Sequence, residues 1–437
     1  MLHIIVVGGG IAGLSAAISL RRVGHTVHIY ERSPMLSEVG AAISVPPNAT
    51  RLLVAWGLDP KRWRFVQARS FTYLDHLTLE TTAVLCKEDT WRAAGGADSY
   101  HAHRVDLQES LKWLATREDG PGTPVTIHTS SHVVAYNSEK PSITLRSGQE
   151  LCADLIIGAD GVHSLATEAV LGHRNAPVPP AHSNWCFRFL IPANELESDP
   201  ETKGWNDNCD GRLNIIAHNE SRRRIVAYTC RDNTVHNFAA IYFDDKESVP
   251  DTEDWQKTAD ISQVLSLYEG FNPRLLKIMS KATSVKRWPL LYRKPVKKWH
   301  KDFLVLTGDA AHPMLPHQGQ AGAMALEDGL TLGLVLNGAT RANMQDRLQI
   351  YTDIRRGRTS VMQILSNAGQ DEAHLIRKDL MQFLADSQIP DTPAKMQIYS
   401  FAYDAVRETL TAMKAYDEGF ELPSDYFESE VIPGPNL

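Results

Sequence analysis

The chain has 437 residues, a length that at about 150 residues per domain predicts two or three domains. Hydrophobic residues make up 43% and charged residues 22%, which excludes disordered and fibrous chains. Basic residues number 45 against 52 acidic ones, and the resulting charge of −7, with a pI of 6.2, leaves no basic footprint for a nucleic-acid partner.

The five cysteines are scattered, without a Cys-x-x-Cys pair. They suggest neither a zinc site nor a disulfide framework, and they fit a reducing, cytoplasmic setting. No run reaches the roughly 18 consecutive apolar residues of a membrane span. The apolar Ile4–Val7 has no basic segment before it and is cut short by Gly8-Gly9-Gly10, so it reads as a first strand rather than a signal peptide.

That strand is followed by Gly8-Gly9-Gly10-Ile11-Ala12-Gly13 and a helical pattern from Leu14 to Val23 that stops at Gly24. A second strand, Thr26–Tyr30, ends at Glu31. This is Gly-x-Gly-x-x-Gly in the strand–turn–helix–strand–acid setting of a dinucleotide site. Gly8 permits the tight turn, Gly10 lets the backbone approach a pyrophosphate, and Gly13 lets the helix lie close on the strand. The helix start offers free N–H groups to phosphate, and Glu31 can accept hydrogen bonds from a ribose. A carboxylate there repels the 2′-phosphate of NADP, which leaves NAD or FAD.

Two further strand-like runs end in acids: Ala153–Gly161, closing on Asp160-Gly161, and Phe303–Pro313, carrying Gly308-Asp309. Open α/β sheets bind ligands at such carboxyl ends. Beyond them, Pro316–Gly322 opens a helix carrying Glu327 and Asp328, so a second helix start points to the same region. Between 179 and 284 the pattern changes. Short strands (Trp185–Ile191, Arg212–Ala217, Arg224–Cys230, Phe238–Phe243) alternate with polar turns, which predicts an antiparallel sheet inserted into the α/β domain. Within it, Arg188 is the one charge in an apolar strand, either facing outward on an edge or aimed into a cavity.

Taken in order, these motifs resemble the class A FAD-dependent aromatic monooxygenases of the 4-hydroxybenzoate and salicylate hydroxylase type. The stretches Glu38–Ile43 and Pro46–Leu53 resemble the fungal salicylate-hydroxylase-like branch. The resemblance implies a Rossmann-type, glutathione-reductase-like FAD domain with an inserted antiparallel substrate sheet and C-terminal helices. In residues, 1–178 and 285–370 would form the FAD domain, 179–284 the substrate sheet and 371–437 a helical segment. It implies FAD as cofactor and NADPH or NADH as transient reductant. Glu31 would hold the adenosine ribose, Arg104 the diphosphate and ribityl region, and Asp309 the ribityl hydroxyls. Asp160 would serve as the second acidic fingerprint, Ala42 would line the cofactor loop, and Ala321 and Gly322 would begin the helix facing the pyrimidine end of the flavin. Two departures stand out: Thr167 occupies the place of a family arginine after Asp160-Gly161, and Ala321 replaces the last glycine of Gly-Gln-Gly.

The resemblance also implies the chemistry: O2 activated as a flavin hydroperoxide that hydroxylates a small phenolic aromatic. Arg188 would hold that substrate as phenolate, and Tyr228 would either stand near the substrate or fill the core. Oxidation of a terpenoid or indole alkaloid is a second enzyme reading, and a non-catalytic flavin-binding redox protein a third. His312 is expected to be structural, His101 and His103 to face either cavity or surface, and Met396–Met413 to form one long helix. The chain is expected to be a monomer or homodimer without a membrane span.

Overall fold

A computed structural model describes residues 1–34, 41–178, 185–218, 220–244, 247, 250, 254, 256–368 and 373–435. Glu38, Val39 and Gly40, and the proposed domain boundaries at 179, 370 and 371, lie outside them.

The β-branched run after Met1 becomes the strand His3–Val7, buried almost throughout. It sits between Thr26–Tyr30 on one side and Leu155–Gly158 on the other, both parallel to it. Leu304–Leu306 adds a further parallel strand beside Leu155–Gly158, and Thr126–His128 one beside Thr26–Tyr30; the short His300–Lys301 closes one edge antiparallel. In register, Val7 faces both Tyr30 and Gly158, and Gly158 faces Leu306. The chain therefore leaves four neighbouring strands at one edge of the sheet. There it releases Gly8, Glu31, Asp160 and Asp309, at the point where strand order switches.

Two long helices cover this sheet. The helix Ala321–Leu336 runs parallel to Ile11–Arg22 at very close range, because Gly329 and Gly333 leave room for Ser15 and Ser19. The two serine hydroxyls donate to the carbonyl oxygens of Leu326 and Leu330 at 3.3 and 3.1 Å. A Cβ on Gly333 would stand 1.9 Å from Ser19 Oγ, so this spacing depends on glycine. The pairing brings both helix N-termini to the ligand edge of the sheet.

The second large element is an eight-stranded, mostly antiparallel sheet. Its centre is Trp185–Pro192, Val235–Tyr242, Arg223–Cys230 and Arg212–His218. Strands Ser70–Asp75 and Thr81–Lys87 extend it on one side, and Val285–Pro289 with Thr258–Ala259 on the other. Period-two alternation divides its faces. Phe187, Phe189, Ile191, Phe238 and Ala240 pack into an apolar core against the helices Ile261–Leu267 and Pro273–Met279, while Arg188, Leu190 and Asn237 occupy the other face.

The expected long C-terminal helix is two helices, Pro393–Phe401 and Ala405–Tyr416. Asp404 breaks the run: its backbone is extended and its carboxylate accepts the N–H of Arg407 at 3.0 Å, which caps the second helix. Leu330, Leu334, Tyr351 and Met362 are buried in the core that this chain's parallel sheet shares with its helices. Among the described residues no helix is long and apolar enough to cross a membrane.

Candidate active site

The switch-point edge and the Arg188 face of the large sheet enclose a cavity of about 920 Å³. Gly8, Gly10, Glu31, Arg104, Asp160 and Asp309 line one part of it, and Arg188, Leu190, Lys286 and Trp288 another.

The glycine turn is built as its spacing demands. Gly8 takes φ +108° and donates its N–H to the carbonyl oxygen of Tyr30 at 2.9 Å. A Cβ on Gly13 would lie 1.9 Å from the carbonyl oxygen of Gly8, so the helix can rest on the turn only without a side chain. At Gly10 a Cβ would meet nothing within 4 Å, and Gly10 caps a helix that has neither side-chain cap nor acid in its first turn. Open space and unsatisfied N–H groups thus coincide at one spot, which suits a phosphate.

Glu31 is aimed by two backbone bonds: Oε2 accepts from Gly9 N and Oε1 from Ser33 N, both at 2.7 Å. A carboxylate keeps further lone pairs for a ligand. Arg104 is exposed at the first position of the helix Arg104–Thr116, and its N–H reaches the carbonyl oxygen of Ala41 at 2.8 Å. Asp160 accepts from Tyr136 Oη at 2.8 Å and from Ala166 N at 3.1 Å, and burial pushes its carboxyl above the usual range. Thr167, in the place of the family arginine, donates to the carbonyl oxygen of Ala310 at 2.6 Å and so fastens the Asp160 segment to the Asp309 turn. Asp309 is exposed on the single turn Gly308–Ala310.

Gly322 and Ala321 open their helix beside strand Ala42–Val45: a Cβ on Gly322 would stand 3.0 Å from Ile43 Cδ1. Neither residue lines the cavity. Gln320, at the N-cap, is buried, its side chain caps no N–H of the helix, and its Nε2 has no hydrogen-bond partner. An uncapped helix start beside a buried unpaired donor suits a ligand rich in acceptors.

Arg188 lies on a central strand, paired on both sides, so the edge-strand alternative does not hold. Its Nε donates to Asn237 Oδ1 at 3.3 Å, and its Nη2 donates to the carbonyl oxygen of Ala42. Asn237 Oδ1 also accepts the N–H of Ala42 at 3.2 Å. Ala42, buried and off the cavity wall, is therefore gripped at both ends of its backbone. Tyr228 is buried behind it, off the cavity wall, in a small cluster with Ala42 and Cys230. Burial pushes its hydroxyl up to about 12 despite the neighbouring Arg188, so it remains protonated near neutral pH.

His103 lines the cavity, whereas His101 is buried against Tyr228 with ring centroids 4.7 Å apart. Burial holds His101 down to about 4. His312 is structural, as expected, and donates to Asp328 at 2.5 Å. Sequence reasoning missed Asn237. Its signal, a lone amide between Val235 and Phe238 in an apolar strand, was of the same kind that singled out Arg188.

A family model described as an FAD binding domain matches residues 1–367. An FAD-dependent monooxygenase of Aspergillus candidus, cfoG, is 46% identical over 97% of this chain and 98% of its own length. The chain belongs to the class A FAD-dependent monooxygenases. Hispidin-3-hydroxylase of Neonothopanus nambi is 32% identical over 82% of this chain and 86% of its own. In fold, the monooxygenase matches a salicylate hydroxylase substrate complex with a TM-score of 0.70 at 21% identity, over 94% of this chain and 98% of the other. The α/β sheet with its inserted antiparallel sheet is thus the fold of this family, and FAD is the cofactor the matched domain binds.

Proposed function

We propose that this monooxygenase uses NADPH or NADH and O2 to hydroxylate a small phenolic aromatic, in fungal secondary metabolism or benzoate breakdown. The observation that carries the reading is the shared cavity that joins the glycine turn, Glu31, Asp160 and Asp309 to the strand-borne cation Arg188. A relative that is by name a hydroxylase of hispidin supports an aromatic substrate.

In this reading Gly8, Gly10 and the helix start beyond them receive the FAD diphosphate, with Arg104 as counter-charge. Glu31 takes the adenosine ribose, Asp309 the ribityl chain, and the helix start at Ala321 and Gly322 the pyrimidine edge of the flavin. Asp160 and Gly13 hold the shape of this seat, and Ala42, behind its wall, ties it to Arg188 and Asn237. Bound FAD, once reduced, supplies the activation of O2. The chain's own residues do the rest. Arg188, its orientation set by Ala42 and Asn237, lowers the pKa of a phenol placed beside it and binds it as phenolate, a better nucleophile than the phenol. Tyr228, which keeps its proton, lies behind that charge as a neutral side chain off the cavity wall. The apolar and aromatic roof, Leu190 with Trp288, limits water, and confinement aligns the ring with the reacting oxygen.

The test is NAD(P)H oxidation with product mass over a panel of benzoates, other phenols, indoles and terpenoids. Substrate-stimulated oxidation with an added oxygen atom on phenols supports the proposal. Turnover confined to phenol-free terpenoids or indoles contradicts it, as does bound flavin without any stimulated oxidation.

A further inference from the structure

Two adjacent acids on the helix Ala321–Leu336, Glu327 and Asp328, are fully buried in an otherwise apolar stretch. Successive helical residues point about 100° apart, so the pair reaches in two directions. Asp328 Oδ2 accepts the N–H of Gly308 at 3.0 Å and His312 Nε2 at 2.5 Å. Glu327 Oε1 accepts from Asn48 Nδ2 at 2.7 Å, and the same Nδ2 donates to Gln320 Oε1 at 3.1 Å. One guanidinium joins the two acids: Arg355 donates through Nε to Asp328 at 2.8 Å and through Nη1 to Glu327 at 2.7 Å. Arg358 stands 3.5 Å from Glu327, so two cations balance two anions.

Such a cluster is an expensive way to hold two helices together, since apolar residues of similar volume commonly do as well. Its endpoints account for it. One arm ends on the turn that presents Asp309, and the other on the amide at the uncapped helix start. We propose that Glu327 and Asp328 are positioning residues for the cofactor: Asp328, with His312, sets the Gly308–Asp309 turn, and Glu327, through Asn48, orients Gln320 so that its Nε2 serves as a further donor to the flavin. The inference rests on the placement of FAD proposed above. The arms share Arg355, so a change at either end reaches the other. Ionic character holds them in place: burial would raise the Asp328 carboxyl, but His312 and Arg355 outweigh it and hold it down to about 2.

The experiment compares FAD release from the purified holoprotein, its visible flavin spectrum, and its melting temperature in saturating FAD. The variants are Asp328→Asn, His312→Gln and His312→Ala. Asp328→Asn is expected to weaken FAD by about tenfold or more and to shift the flavin bands. A glutamine amide can replace the ring Nε2 donor, so His312→Gln is expected to retain FAD better than His312→Ala, at similar melting temperatures. If Asp328→Asn does not fold, the two His312 variants decide the matter. The inference is overturned if the wild type holds FAD and the variants hold it equally well with an unchanged spectrum, even if they melt earlier. Wild-type protein that fails to hold FAD would instead bring down the cofactor placement itself.

Discussion

Arg188 donates to the carbonyl oxygen of Ala42, a residue 146 positions earlier in the chain and on a different sheet. Asn237 accepts the N–H of the same alanine. The cation facing the cavity and the strand beside the proposed flavin seat are therefore one mechanical unit. The expected consequence is that substrate orientation and cofactor placement change together.

Asn237→Ala tests that unit. It removes the acceptor shared by Ala42 and Arg188 and leaves the cation in place. The variant is expected to keep FAD, to raise KM for a phenolic substrate by about tenfold, and to divert NAD(P)H oxidation toward peroxide. Peroxide yield per NAD(P)H, beside steady-state kinetics, checks this.

Asp309→Ala bears on the cofactor seat. The turn Gly308–Ala310 is held from below by Asp328 and Thr167, so the backbone should keep its shape without the carboxylate. Loss of FAD on gel filtration with an unchanged circular dichroism spectrum is the expected result. Full FAD occupancy would remove Asp309 from the ribityl role.

Gly13→Ala concerns packing. The new Cβ would meet the carbonyl oxygen of Gly8, which as backbone cannot swing away. Both stability and FAD retention are expected to fall, because the helix must lift off the turn. Gly10→Ala meets no protein atom within 4 Å and is expected to fold normally yet bind FAD poorly. Melting temperature set beside flavin content separates the two effects.

Stability should also depend on mildly acidic pH. Burial holds His101 and His236 down to about 4, against 6.5 for a free imidazole. Between those values the unfolded chain binds more protons than the native one. Stability is therefore full above about pH 6.5 and is lost as pH falls toward 4. The shift corresponds to roughly 3 kcal/mol per imidazole. Urea unfolding at stepped pH should show this loss, and the double change His101→Gln with His236→Gln should flatten it.

Much of the site was legible because its chemistry is local. Gly8, Gly10, Gly13 and Glu31 lie within one βαβ unit, where spacing alone fixes the geometry. Asp160 and Asp309 could be read because each follows a buried strand, and strand ends gather at one edge of a parallel sheet. Arg188 stood out as a charge in an apolar alternation. What stayed hidden depends on partners far apart in sequence. Nothing near Asn237 announces Ala42, and Glu327 finds Asn48 only after two helices have packed. The break at Asp404 was missed because helical spacing continues across it, while the capping bond to Arg407 decides the matter locally. That Tyr228 lies behind Ala42 rather than on the cavity wall follows from sheet register, which strand spacing alone does not set.

The most direct measurement of the central claim is product formed per NAD(P)H oxidised, for wild type and Arg188→Ala, on a phenol that the wild type hydroxylates. The account predicts that Arg188→Ala keeps its FAD and loses hydroxylated product by at least about tenfold, with the remaining oxidation appearing as peroxide. An Arg188→Ala variant that hydroxylates the phenol with wild-type yield would contradict it.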